Sequence, residues 1–180
     1  MSMLVKTESV VSSNDELSKA VRSVFDVMVG LTLETPTEEA EIRDDLLTAI
    51  VHITGEQFGA VVIYCPTSPA RKFTGRFLDK DPPREVNEEV LDVLGELANM
   101  IAGNVKTKLM PDTRLSVPSV FESKDGTLSL QWHSAERQMF NSEVGAFWVS
   151  VTIAHTPEQR QLTAIQARAA ELAKQLRGTS

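Results

Sequence analysis

The stretch from residue 87 to about residue 107 predicts one long amphipathic helix, and it constrains the fold more than any other segment. Three apolar side chains share one face of this helix: Leu94, Leu97 and Ile101. Three polar side chains, spaced four and three residues apart, share another face: Asp92, Glu96 and Asn99. We expect the apolar face to be covered by the rest of the chain and the polar face to meet water.

Strand-like segments precede and follow this helix in the sequence. Residues 45–54 and 60–65 are predicted strands before it, and residues 31–34 are a candidate short strand. Three further strands are predicted after it: residues 114–117, 127–133 and 145–154. The order helix, strands, helix, strands, helix therefore predicts a mixed α/β (α+β) fold.

Two other helices and one loop complete the predicted pattern. An apolar stripe predicts a helix from about residue 15 to Gly30, and a helix opening at Thr156 predicts a last helix over residues 157–177. Three residues indicate a loop between the second strand and the long helix: Pro66, Pro69 and Gly75. Residues 73–78 are compatible with either an edge strand or a short helix.

Length and composition predict a single domain. The chain has 180 residues, of which 42% are hydrophobic and 24% charged, enough for one sizeable core. We expect residues 1–14 to be flexible and residues 15–180 to form one domain. Within it, two halves would span about residues 15–80 and 81–155, followed by the helix at about 157–177.

Charge and residue usage exclude several function classes. The net charge of −7 disfavours binding to nucleic-acid phosphates. Cys65 is the only cysteine, so neither an internal disulfide nor a thiolate metal site is expected. The three histidines lie too far apart in sequence to predict a shared metal site: His52, His133 and His155. With no membrane-spanning run and no secretory signal predicted, we expect a cytoplasmic protein.

A weak internal repeat relates the first helix to the long one. Residues 24–30 can be laid over residues 97–103, so that the final glycines and the apolar positions coincide. In this overlay Ser23 and Asp26 replace the glutamate and the asparagine, and only the second copy keeps the polar pair. The alternative is two unrelated amphipathic helices that each stop at a glycine.

The pair Glu96 and Asn99 suits a narrow chemistry. A carboxamide donates and accepts hydrogen bonds and stays neutral, so it can hold a water in line with a phosphorus atom. A carboxylate one turn away can form a charge-assisted hydrogen bond with a lysine or arginine of a partner. Since no metal triad is evident in the sequence, metal and phosphate would lie on the partner. The plainer interpretation is an ordinary solvated helix face, on which Gly95 is either a close-approach point or a packing contact.

The run of residues 96–107, Glu-Leu-Ala-Asn-Met-Ile-Ala-Gly-Asn-Val-Lys-Thr, resembles the signature helix of the CheX/CheC/FliY chemotaxis phosphatases. That family's pattern is aspartate or serine, three residues, glutamate, two residues, asparagine, and a proline further along. Asp92, Glu96 and Asn99 match it residue by residue. Pro118 takes the place of the proline but arrives a few residues early, so the loop after the helix is shortened.

The resemblance implies a CheC/CheX-like sheet packed against two long related helices, to which this chain adds a C-terminal helix. It also implies a phosphatase that hydrolyses the phospho-aspartate of a CheY-like receiver domain. Asn99 would orient the attacking water, and Glu96 would pair with the receiver's lysine. Four further residues would contact the partner: Asp92, Gly95, Gly103 and Pro118. No cofactor or metal is expected on this chain, and Mg²⁺ would lie on the receiver.

The single polar pair makes the chain resemble the CheX type, which implies a homodimer. The last helix carries an apolar seam that we expect to pack on the domain or on a second subunit: Leu162, Ile165, Ala169, Leu172 and Leu176. The alternative function is a non-catalytic binding module that docks a receiver domain or a flagellar-switch component.

Overall fold

The computed structural model describes residues 14–37, 45–123 and 137–154, together with the helical positions Gln161, Ile165, Arg168 and Ala169. Helix α1 covers residues 14–24 and continues into a π-helical turn at Phe25–Val29. The next two helices are α2 (Thr67–Phe77) and α3 (Glu88–Leu109). The strands are β1 (Leu46–Gly55), β2 (Gly59–Pro66), β3 (Thr113–Leu115), β4 (Ser119–Ser123), β5 (Arg137–Ser142) and β6 (Gly145–Ile153).

The strands form one antiparallel sheet in the order β3-β1-β2-β6-β5. Strand β4 also pairs with β1, at residues 46–50, whereas β3 pairs with β1 at residues 53–55. The chain therefore crosses from β3 to β4 along one edge of β1, through the short segment that contains Pro118. None of the helices among the described residues is long and apolar enough to span a bilayer.

The two faces of the central β1–β2 hairpin contribute to separate apolar clusters because strand side chains alternate. One face of β1 enters the large core through four side chains: Leu47, Ala49, Val51 and Ile53. Buried hydrophobic side chains from all three helices belong to this same core. A smaller cluster lies on the opposite face: Ile50, Ala60, Val62, Tyr64 and Trp148. The helices thus cover one face of the hairpin.

Contacts between aromatic rings pack α1 and α2 against the helix-covered face of the sheet. The rings of Phe25 in the π-helical turn and Phe147 on β6 stack with centroids 4.5 Å apart. Phe73 of α2 meets Phe25 edge-on at 5.0 Å, and Phe140 of β5 stacks on Phe147 at 5.6 Å. All four rings are fully buried, so this cluster fixes the first helix and the sheet in one arrangement.

Most predicted elements of the described residues are confirmed. The strands expected at residues 45–54, 60–65 and 145–154 and the helix expected at residues 87–107 form within a few residues of those limits. The candidate strand at residues 31–34 is reduced to a single bridge between Glu34 and Asn141.

One prediction is wrong, and one strand was not predicted. The loop expected around Pro66 and Pro69 is helix α2, because Pro69 lies in its first turn, where an N–H has no intrahelical partner. Strand β5 was not predicted from the sequence. Of the two glycines that coincide in the overlay, Gly30 ends its helix with φ of 65°, whereas α3 continues past Gly103 to Leu109.

Other expectations fall outside the described residues. These are the flexible segment before residue 14, the strand predicted at residues 127–133, and most of the helix predicted at residues 157–177. The four described positions of that last segment are helical and exposed.

His52 on β1 couples stability to pH. It is only 5% exposed, its Nδ1 atom has no hydrogen-bond partner among the described residues, and burial lowers its pKa below 6.5. The unfolded chain therefore takes up a proton first as the pH falls below about 6.5, so this contribution to stability is present above that pH and is lost below it.

We predict that the free energy of unfolding falls as the pH drops below about 6.5, by up to about 1.4 kcal/mol per pH unit. A His52→Leu variant should show a flatter profile, because its side chain does not titrate. Denaturant unfolding at several pH values measures both slopes. Equal slopes for wild type and His52→Leu would contradict the prediction.

Candidate functional site

Helix α3 presents the candidate site, and its ends are well defined by the local sequence. The Asn87 side chain accepts a hydrogen bond from the Val90 N–H at 3.1 Å and so caps the first turn. Acidic residues occupy that turn, and basic residues occupy the last one, as the helix dipole favours. The local sequence therefore favours the helical conformation at both ends of α3.

Packing on the sheet fixes the rotation of α3 about its axis. One face of the helix is buried, and its members include Val90, Leu94, Leu97, Ile101 and Val105. They recur at intervals of three and four residues, so a single face meets the large core. Because the helix has period 3.6, the opposite face must project away from the sheet.

That projecting face carries the predicted polar residues. Asp92 and Glu96 are exposed, and Asn99 is half-buried, which confirms that these side chains share the outer face. None of the three makes a side-chain hydrogen bond or ion pair with the described part of the chain. Their polar atoms are therefore free to bind groups from another molecule.

Gly95 lies beside this face, but its contacts are internal. A Cβ atom built on it would lie 3.3 Å from Pro118 Cβ and 3.3 Å from Val120 Cγ2. Gly95 is buried, so the segment between β3 and β4 rests directly on the helix backbone there. Of the two interpretations of this glycine, the structure favours the packing contact.

The segment before Pro118 is held to the sheet by hydrogen bonds of Ser116. Its N–H donates to the His52 carbonyl at 2.9 Å, and its Oγ accepts from the His52 N–H at 3.0 Å. Pro118 is thus fixed by β1 on one side and by Gly95 of α3 on the other. Sequence reasoning missed Ser116 and Val120, because the pairing that brings them to α3 joins strands distant in the chain.

Gly103, the remaining predicted contact residue, lies one turn beyond Asn99 on the same face. It is half-buried, and a Cβ atom built on it would have no neighbour within 4 Å among the described residues. The structure thus groups Asp92, Glu96, Asn99 and Gly103 along one outer stripe of α3, with Pro118 beside it.

The equivalent turn of α1 lacks the polar pair. Ser23 and Asp26 are exposed, as the overlay predicts, and neighbouring Val27 is 74% exposed. The backbone of Phe25–Val29 is π-helical, whereas α3 is regular at the matching positions. Of these two matching turns, only the one in α3 combines a carboxylate and a carboxamide on a regular helix face.

Metal or thiol chemistry finds no support in the described residues. No group of three or more His, Cys, Asp or Glu side chains in them could hold a metal ion. Cys65 is fully buried, and burial raises the pKa of its thiol, so it is not an activated nucleophile. The outer stripe of α3 can orient a water and bind a cation, but it supplies no attacking side chain.

Comparison with known proteins connects this geometry to a family. The model of the family described as "Chemotaxis phosphatase CheX" matches residues 47–140, which include α3 and Pro118. No curated protein sequence matches the chain.

Solved structures share the fold at low sequence identity. The chemotaxis protein CheX from Vibrio vulnificus superposes with a TM-score of 0.66 at 22% identity, over 78% of this chain and 95% of that one. A CheC-like superfamily protein from Shewanella gives 0.64 at 18% identity, over 81% and 99%. CheX of Borrelia burgdorferi, solved in complex with CheY, BeF3 and Mg²⁺, gives 0.66 at 19% identity, over 78% and 97%. The predicted CheC/CheX-like fold is confirmed.

We predict that Gly95→Val destabilises the protein by about 1–3 kcal/mol, because its side chain must displace Pro118 or Val120. Denaturant unfolding measures this loss. An unchanged free energy of unfolding would show that the segment beside Gly95 is loosely packed, contrary to the contacts described above.

Proposed function

Because the chain belongs to the CheX chemotaxis phosphatase family, we propose that it hydrolyses the phospho-aspartate of a CheY-like receiver domain. The observation that carries this proposal is the stripe of α3, on which Glu96 and Asn99 project outward without partners among the described residues. Side chains that must enter another protein's site need this combination of exposure and a rigid support.

Asn99 is proposed to orient the attacking water. Its carboxamide oxygen accepts a hydrogen bond from the water, and its amide group can donate to a phosphoryl oxygen. The water oxygen then attacks phosphorus, the bond from phosphorus to the aspartate oxygen breaks, and the aspartate carboxylate leaves with that electron pair. Both hydrogens of the water remain on the released phosphate, which leaves as H2PO4⁻. No general base is required, since positioning and charge stabilisation dominate phosphoryl transfer.

Glu96 is proposed to fix the position of Asn99 relative to the receiver's phosphorylation site. It lies three residues before Asn99, so the two side chains are separated by about 4.5 Å along the helix axis. Its carboxylate would accept a charge-assisted hydrogen bond from the receiver's lysine. Asp92, one turn earlier, would extend the same contact, while Gly95 and Pro118 support the helix beside it.

The charge of the phosphoryl group would be balanced by the partner. No metal cluster occurs among the described residues of this chain, and the Borrelia CheX complex contains Mg²⁺ together with CheY and BeF3. We propose that the Mg²⁺ lies on the receiver and that this chain binds no cofactor of its own. We propose that this chain and the receiver on which it acts both lie in the cytoplasm.

We predict that Asn99→Ala lowers the rate of phosphate release from a phosphorylated receiver at least about 100-fold, towards the uncatalysed rate. Its free energy of unfolding should stay within about 0.5 kcal/mol of wild type, because the side chain makes no contact that the fold needs. Single-turnover phosphate release measures the rate.

Asn104→Ala is the matched control, because Asn104 is an exposed asparagine on a different side of the same helix. It should retain the wild-type rate. Full activity of Asn99→Ala would contradict the proposed role. Binding of the phosphorylated receiver without any acceleration by wild type would instead identify a binding module.

We also propose that the chain is a homodimer in which the C-terminal seam takes part. Ile165, a member of that seam, is 57% exposed, and the described positions Gln161, Arg168 and Ala169 are exposed as well. An exposed apolar residue within a predicted a/d repeat favours pairing with a second helix.

We predict that Ile165→Glu shifts the protein from dimer to monomer, because it places a charge in the apolar seam. Gln161→Glu, on the same exposed stretch, adds the same charge at a polar position and should leave the dimer intact. Analytical ultracentrifugation measures the mass. A monomeric wild type, or a dimeric Ile165→Glu, would refute the role of the seam.

A further inference from the structure

No contact within the described part of the chain explains the glycine at position 103. It lies inside α3, six residues before the helix ends at Leu109, where glycine is a poorer helix former than any residue except proline. The Gly103 carbonyl accepts a hydrogen bond from the Thr107 hydroxyl at 2.9 Å, which any residue at that position would allow. The described residues therefore give no structural reason for a missing side chain at this position.

At two other positions, the chain's own packing or backbone conformation explains why the residue is glycine. Gly95 leaves room for Pro118 and Val120, which would lie 3.3 Å from its Cβ. Gly30 has φ of 65°, a conformation that side chains disfavour. Gly103 has neither feature, because its backbone is helical and a Cβ would have no described neighbour within 4 Å.

Gly103 lies on the face of α3 that is available to a partner molecule. It lies four residues after Asn99 and seven after Glu96, on the outer stripe of α3. On such a surface, an absent side chain exposes the helix backbone and permits the close approach of another backbone.

We propose that Gly103 is the close-approach point of the docked receiver, where a backbone segment beside the phospho-aspartate pocket lies directly on α3. This inference rests on the proposed function. It adds to it a residue that determines how deeply α3 enters the receiver's site. Gly103 is a positioning residue: it touches neither phosphate nor water, but it sets how far Asn99 enters the receiver.

The physical consequence is a graded loss of activity with side-chain size at position 103. A methyl group would hold the receiver away from the helix by roughly 1 Å, and displacements of that order cost up to about 100-fold in rate. The same methyl group improves helix propensity, so stability and activity should change in opposite directions.

The test compares wild type with Gly103→Ala and Gly103→Leu. Gly103→Ala should raise Tm by about 2–4 °C, while kcat/KM for phosphate release falls at least about threefold. Gly103→Leu should lower kcat/KM about 100-fold. Binding of receiver domains loaded with Mg²⁺ and beryllofluoride is measured in parallel and should weaken in the same order.

Asn104→Leu is the matched control, because it adds the same side chain at the next exposed position, on another side of the helix. It should keep wild-type binding and rate. Gly103→Leu with wild-type binding and rate would overturn the role of Gly103 while leaving the phosphatase proposal intact.

The remaining outcomes separate the two proposals. If wild type binds the loaded receivers without hydrolysis, the phosphatase proposal fails. Loss of binding in Gly103→Leu alone would then still support the close approach. If wild type neither binds nor hydrolyses with any receiver tested, both proposals fail together.

Discussion

The contact between the apolar face of α3 and the central hairpin is the interaction on which the rest of the structure depends. Leu94, Leu97 and Ile101 are buried against the core that β1 and β2 form. Because an α-helix repeats every 3.6 residues, burying this face also determines which side chains project outward. The site is therefore a consequence of core packing, and the polar residues need no hydrogen bonds of their own to be oriented.

Two glycines on α3 differ in their contacts with the rest of the described chain. Gly95 is buried and lets Pro118 rest on the helix, so the rim of the site is fixed from within. Gly103 faces open space one turn beyond Asn99, where nothing among the described residues requires it. The same residue type thus serves packing at one position and, as we propose, partner access at the other. Sequence alone cannot separate these roles, because both glycines occupy helical positions.

The sequence predicted α3, its polar stripe and the central hairpin because each depends on local periodicity. It did not predict α2, since Pro66 and Pro69 signal a loop unless the second proline falls in a first helical turn. Strand β5 was missed because its residues are mostly polar and are stabilised by pairing with β6. The contact of Val120 with Gly95 depends on β4 pairing with β1 across the chain, which local patterns do not encode.

The central claim is that the outer face of α3 enters the phosphorylation site of a receiver domain. The most direct measurement is an amide NMR titration of this protein with a receiver carrying Mg²⁺ and beryllofluoride. We predict perturbations centred on Asp92, Glu96, Asn99 and Gly103 that disappear when beryllofluoride is omitted. Perturbations centred on another surface, or an identical pattern without beryllofluoride, would contradict the claim.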